Sequence, residues 1–148
     1  MFRGDLDRPY HEWDRTGPRT VYGASKLAGE EAVRAHCRDH LIARVGWLYG
    51  PGGPSFVHTM LTLGAMEGAA LKVVDDQLGN PTSTEAVADR LADLLELPLC
   101  GTFHLTCEGE ANWYQLARAV FELRALPRAV VPCATAEYPR PAPRPANA

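Results

Sequence analysis

"TVYGASKLAGE", residues 20–30, places a tyrosine and a lysine four positions apart, Tyr22 and Lys26. On a helix that spacing amounts to about 40° of rotation, so both side chains project from one face. A phenol held beside an ammonium is a way to build a proton donor. Around the pair lie Gly23, Ala24, Ser25, Ala28 and Gly29. Such small residues let another group come close to that face. Whether the pair is chemistry or a half-buried tyrosine beside a solvated lysine depends on the rest of the chain.

Working outward, residues 22–38 predict a helix, with Tyr22, Lys26, Gly29 and Val33 on one stripe. "LIARVGWLYG", 41–50, is an apolar run that ends in glycine and proline and predicts a buried strand. "GPGGP", 50–54, predicts a strand-to-helix turn. It lacks the spacing of a phosphate loop, and Pro51 and Pro54 remove two N–H donors. Ser55 is a candidate cap for a helix carrying Phe56, Met60 and Leu63. "LKVVD", 71–75, predicts a strand, and Thr82 with Glu85 has the spacing of a capping box. "GTFHLTC", 101–107, alternates like a strand. Asn112 precedes a helix with Trp113, Leu116 and Val120, and "RAVVPC" closes the series as a strand. Alternating short strands and helices define an α/β chain. The proline-rich end, "YPRPAPRPANA", predicts an extended tail.

With 148 residues the expectation is a chain that buries a real core. The hydrophobic fraction of 46% and charged fraction of 22% are ordinary for a globular protein. A net charge of −3 gives no general attraction to nucleic acid or anionic membrane. No run of residues is long and apolar enough for a membrane span, and no leader pattern opens the sequence. Cys37, Cys100, Cys107 and Cys133 are scattered, as suits reduced thiols, so the expected location is cytoplasmic. Cys100, His104 and Cys107 cannot share one strand face, and His36 and His40 lack neighbouring carboxylates. No metal site is expected from either set. Trp47 ends a strand, where open α/β sheets place their ligands.

Taken in order, "FRGDLDRPYHEWD", "VYGASKLAGE", "RVGWLYGPGG", "VVDDQLGNPT", "GTFHLTCEGEANWYQLARAVF" and "AEYPRPAPRPAN" resemble the extended short-chain dehydrogenase/reductases. Within them, the blocks are similar to the dTDP-4-dehydrorhamnose reductases. The resemblance implies a Rossmann-like fold. Residues 1–54 would be the end of the dinucleotide-binding and catalytic region, and 55–148 the sugar-nucleotide subdomain. It implies NADPH- or NADH-dependent reduction of the 4-keto group of dTDP-4-dehydro-6-deoxy-L-mannose to dTDP-L-rhamnose. Tyr22 would be the general acid and Lys26 would hold the nicotinamide ribose. Trp47 would pack against sugar or nicotinamide, Asn80 and Thr82 would face the sugar nucleotide, and Arg144 would fork onto its diphosphate.

The sequence departs from that family at both ends: the resemblance implies a catalytic Ser or Thr just upstream of "FRG" and further chain past "RPAN", and neither is present. Only 21 residues precede Tyr22, and no G-x-x-G-x-x-G turn occurs. The expectation is therefore a C-terminal portion, with the N-terminal dinucleotide-binding half absent. Its uncovered apolar surface would call for that half or for a second copy of the chain. Two other readings remain open: a sugar-nucleotide-binding module without redox chemistry, and an inactive remnant.

Overall fold

The computed structural model describes residues 2–138, 142, 146 and 147. Helix α1 spans Val21–His36, followed by strands β1 (Leu41–Arg44) and β2 (Leu48–Tyr49) and helix α2 (Phe56–Gly64). Then come β3 (Leu71–Val74), β4 (Leu78–Gly79), β5 (Thr82–Ser83) and α3 (Thr84–Leu95). The described elements end with β6 (Gly101–His104), β7 (Ala111–Asn112), α4 (Trp113–Leu123), β8 (Val130–Cys133) and a 3₁₀ turn at Thr135–Glu137. This is the α/β alternation that the sequence predicts.

Strands meet in pairs. β1 runs parallel to β6, with Leu41 opposite Gly101 and Arg44 opposite His104. β3 runs parallel to β8, with Leu71 opposite Val130 and Val74 opposite Cys133. Two shorter pairs, β2 with β5 (parallel) and β4 with β7 (antiparallel), knit the loops that follow these strands. The β1–β6 and β2–β5 pairs both cross position 54, so residues 1–54 and 55–148 share ladders.

The helix starts follow local chemistry. Ser55 accepts from the His58 N–H at the head of α2 (3.1 Å). Asn112 accepts from the Gln115 N–H while Gln115 accepts from the Asn112 N–H, a reciprocal cap on α4. At α3 the expectation fails by one residue. Ser83 is the cap, accepting from Glu85 and Ala86, because the buried Thr82 hydroxyl is engaged by Asn80 and Cys107.

The predicted strand over 41–50 is two strands, and β1 is half-buried rather than buried. The ladder breaks at Trp47, whose φ of 46° lies in the left-handed region that continuous strand cannot use.

The core is Met60, Val73, Ala117, Val120 and Phe121, with Phe56, Leu61, Leu71, Trp113 and Leu126 packed around it. It lies between α2, α4, β3 and β8. Gly64 permits a close approach within it, since a Cβ there would fall 2.6 Å from Leu126 Cδ1 and 2.8 Å from Phe121 Cζ. α1 and α3 take almost no part: only Gly23 is buried in α1, and no residue is in α3.

Candidate functional site

α1 begins where Thr20 caps it by accepting from the Gly23 N–H (3.0 Å). Gly23 is the residue by which the helix touches the preceding loop, and a Cβ there would lie 2.9 Å from Pro18. Tyr22, one position earlier, is 67% exposed. The Lys26 ammonium stands over its ring, 5.7 Å from the centroid, within the range of a cation–π contact. A Cβ on Gly29, further along the helix, would meet no atom within 4 Å. The expected pair therefore forms, on an accessible helix face lined by small residues.

Glu30 sets where this helix lies. The Arg44 guanidinium on β1 forks onto its carboxylate, with Nε to Oε1 at 2.8 Å and Nη2 to Oε2 at 2.7 Å. Arg34 adds a third bond (2.8 Å). Both members of the fork have side chains about one-tenth exposed. These bonds hold the Glu30 carboxyl well down, at about 2. Arg44 also donates to the Glu12 carbonyl, and the Glu12 carboxylate accepts from the His104 N–H. One ionic knot thus joins α1, β1, β6 and the loop of residues 2–14.

A second cluster forms beyond β1. The Trp47 indole stacks on Trp113 with centroids 3.5 Å apart and planes 6° from parallel. It also lies flat against Gly79, where a Cβ would come within 2.4 Å of the ring. The Trp113 Nε1–H donates to Gln77 (3.1 Å), and Phe56 packs against Trp113 at 4.6 Å. Asn80 donates its side-chain N–H to the Gly109 carbonyl, leaving its amide oxygen for other partners.

Thr82 is buried. It is 1% exposed, its hydroxyl donates to the Asn80 carbonyl (2.8 Å) and accepts from the Cys107 N–H (3.3 Å). These two hydrogen bonds tie the loop that carries Asn80 to the one that carries Cys107. The structure thus brings Trp47, Asn80 and Thr82 into one block. Among the described residues no hydrogen bond ties that block to the Tyr22 or Lys26 side chains. Arg144 lies outside the described residues.

Sequence reasoning missed two residues. Gln77 is 7% exposed and bonded at both ends of its amide. Asn147 donates to the carbonyls of Leu6 and Arg8, and its backbone bridges to Leu78. A buried glutamine inside "DDQLGNPT" was the signal for the first. Nothing local marks the second, because its partners lie near the opposite end of the chain. No helix among the described residues is long and apolar enough to cross a membrane.

Three parallel strand pairs and one antiparallel pair among helices, with a helix carrying Tyr22 and Lys26 leading into the first pair, make an α/β chain. More narrowly, it belongs to the family described as the RmlD substrate binding domain, which it matches over residues 1–148. A dTDP-4-dehydrorhamnose reductase from Streptomyces griseus is 47% identical over 152 residues, covering 98% of this chain and 50% of that protein. The crystal structure of a dTDP-4-dehydrorhamnose reductase from Clostridium acetobutylicum superposes with a TM-score of 0.94 at 42% identity, covering 99% of this chain and 51% of the other. That of the Bacillus anthracis reductase, in complex with NADP, gives 0.94 at 36% identity over 99% and 52%. The chain spans about half the length of the curated relatives it matches.

Proposed function

We propose that this chain is the part of an NADPH- or NADH-dependent reductase that carries the catalytic tyrosine helix and the sugar-nucleotide region. The reaction is reduction of the 4-keto group of dTDP-4-dehydro-6-deoxy-L-mannose to dTDP-L-rhamnose. The observation that carries the reading is the accessible Tyr22–Lys26 pair on a helix fixed by the Glu30–Arg44 fork. Similarity to proteins named dTDP-4-dehydrorhamnose reductase supports the choice of substrate. Residues 1–54 would supply the catalytic helix and 55–148 the sugar-nucleotide region.

The donor set on α1 fits one end of a nicotinamide dinucleotide. An exposed hydroxyl and ammonium, on a face left open at Gly29, suit a ribose. No glycine-rich turn in the chain suits the pyrophosphate, so that end would be held by another part of the enzyme. When bound, the cofactor supplies the hydride. Tyr22 gives its hydroxyl proton to the keto oxygen as negative charge grows there. Lys26 stabilises the phenolate left behind and hydrogen-bonds the ribose. Trp47 walls the sugar from water, Asn80 offers its amide oxygen to a sugar hydroxyl, and Arg144 takes the diphosphate.

The uncovered surface of α1, with Val21 at 89% and Val33 at 39% exposure, fits docking of the dinucleotide-binding half. The cytoplasm, where such nucleotides are made, is the proposed location. All four cysteines are free thiols, which suits that compartment.

Turnover by the chain joined to a dinucleotide-binding half tests the reading. Tyr22→Phe should cut turnover roughly 10²–10⁴-fold with little change in substrate affinity. A loss within about twofold would make Tyr22 a structural residue. The alternative, a binding module without redox chemistry, would show dTDP-sugar binding in the joined protein and no NADPH oxidation.

A further inference from the structure

Behind the Trp47–Trp113 stack runs a chain of hydrogen bonds whose direction is fixed at its far end. The Asp76 carboxylate is an acceptor only, and it receives both the Thr135 N–H (2.9 Å) and the Thr135 hydroxyl (2.5 Å). The Thr135 hydroxyl has then spent its proton, so its oxygen can only accept. The Gln77 side-chain N–H₂ donates to it at 2.8 Å. That orientation turns the Gln77 amide oxygen toward Trp113, whose indole N–H is a donor only and meets it at 3.1 Å. A flipped amide would set donor against donor at the indole and acceptor against acceptor at Thr135. The series has one consistent polarity.

We propose that Gln77 is a positioning residue: through the Trp113 indole it fixes the plane on which Trp47 lies, and so aims the wall of the sugar site. Trp47 needs such a hold. Its backbone sits at φ 46°, a region costly for a bulky side chain and stable only when the surroundings determine it. Those surroundings are the Trp113 face, 3.5 Å away, and the bare backbone of Gly79. Trp113 in turn is fixed by Phe56 on the core side and by one hydrogen bond, to Gln77. Gln77 is 7% exposed, so water does not readily replace that bond. The functional part of this inference rests on Trp47 being the sugar wall.

The test reads the indoles without a ligand. Two indoles stacked this closely couple electronically; with their long axes crossed the coupling gives a couplet, a paired positive and negative band in far-ultraviolet circular dichroism, which Trp113→Phe should abolish. Gln77→Met, similar in length but without the acceptor, should abolish the couplet while leaving the helical signal. It should also move the Trp113 indole N–H resonance upfield. In the unaltered chain, the Trp113 indole N–H should exchange with solvent far more slowly than that of Trp13, which is 78% exposed. A couplet that survives Gln77→Met overturns the inference. Should that variant fail to fold, equal exchange at Trp113 and Trp13 overturns it and slow exchange at Trp113 supports it. A lost couplet with unchanged preference for dTDP-rhamnose over dTDP would instead overturn the role given to Trp47, leaving the positioning intact.

Discussion

α1 and α4 are both capped helices, yet they are held by different forces. α4 buries Ala117, Val120 and Phe121 against α2 and β3, whereas α1, the longer of the two, buries only Gly23. The first is stabilised by apolar area withdrawn from water, which is non-directional and little affected by pH or salt. The second depends on a cap, a glycine contact and the fork between Glu30 and Arg44. The contrast shows that a helix can be well formed and still weakly placed. In this chain the weakly placed helix carries Tyr22.

The largest effect should come from the well-packed side. Phe121→Ala removes a ring that is 6% exposed, at an expected cost of about 3–5 kcal/mol in urea unfolding. For a chain of this size that is a large share of the total. If the variant unfolds at nearly the parent midpoint, α4 is not the main source of stability. Gly64→Ala should cost about 1–3 kcal/mol by overpacking, because the new methyl meets Leu126 and Phe121. A neutral result would show that the α2–α4 interface yields.

Acid probes the other side. The Arg44 fork holds the Glu30 carboxyl at about 2 in the folded chain, below its ordinary 4.5. Its contribution is therefore complete above about pH 4.5 and is lost as pH falls toward 2, to the extent of roughly 1–3 kcal/mol. Glu30→Gln should flatten that part of the pH–stability curve, and α1 amides should lose exchange protection before those of α4. Simultaneous loss in both helices would erase the distinction drawn between them. The smallest effect is expected on α3. Leu95 is 77% exposed, and Leu95→Ala should change stability by no more than about 0.5 kcal/mol.

The same contrast explains what was legible in the sequence. α2, α4, β3 and β8 follow from apolar spacing and from caps that lie within three residues of their partners, as at Ser55 and Asn112. The Tyr22–Lys26 pair was legible for the same reason, since helix periodicity alone brings it together. Trp47 was legible as a candidate at a strand end, but its conformation was not, because a tryptophan carries no sign that it will adopt a positive φ. Thr82 has the spacing of a cap, yet Ser83 takes that role. A partner of the Thr82 hydroxyl, Cys107, comes from a loop that the chain reaches only after α3 and β6. Gln77 was visible as a polar residue in a motif, but its partners Thr135 and Trp113 arrive from two later elements. Local interactions can be read from spacing, whereas these depend on which distant segments meet.

The register of the two main ladders bears on how fast the chain acquires its shape. Leu41 pairs with Gly101 and Leu71 with Val130, so each ladder closes only after about sixty residues of intervening chain have been brought round. The second loop starts inside the first, so the two closures are interleaved. Such long-range pairing places a protein among the slower small folders, on the order of milliseconds to seconds. While the ladders wait, β1 and β3 present unpaired edges with apolar side chains, as partly assembled parallel sheets do. Refolding yield should therefore fall with protein concentration even where the folded form is stable. Lowering the concentration should recover more protein than strengthening any single contact in the core.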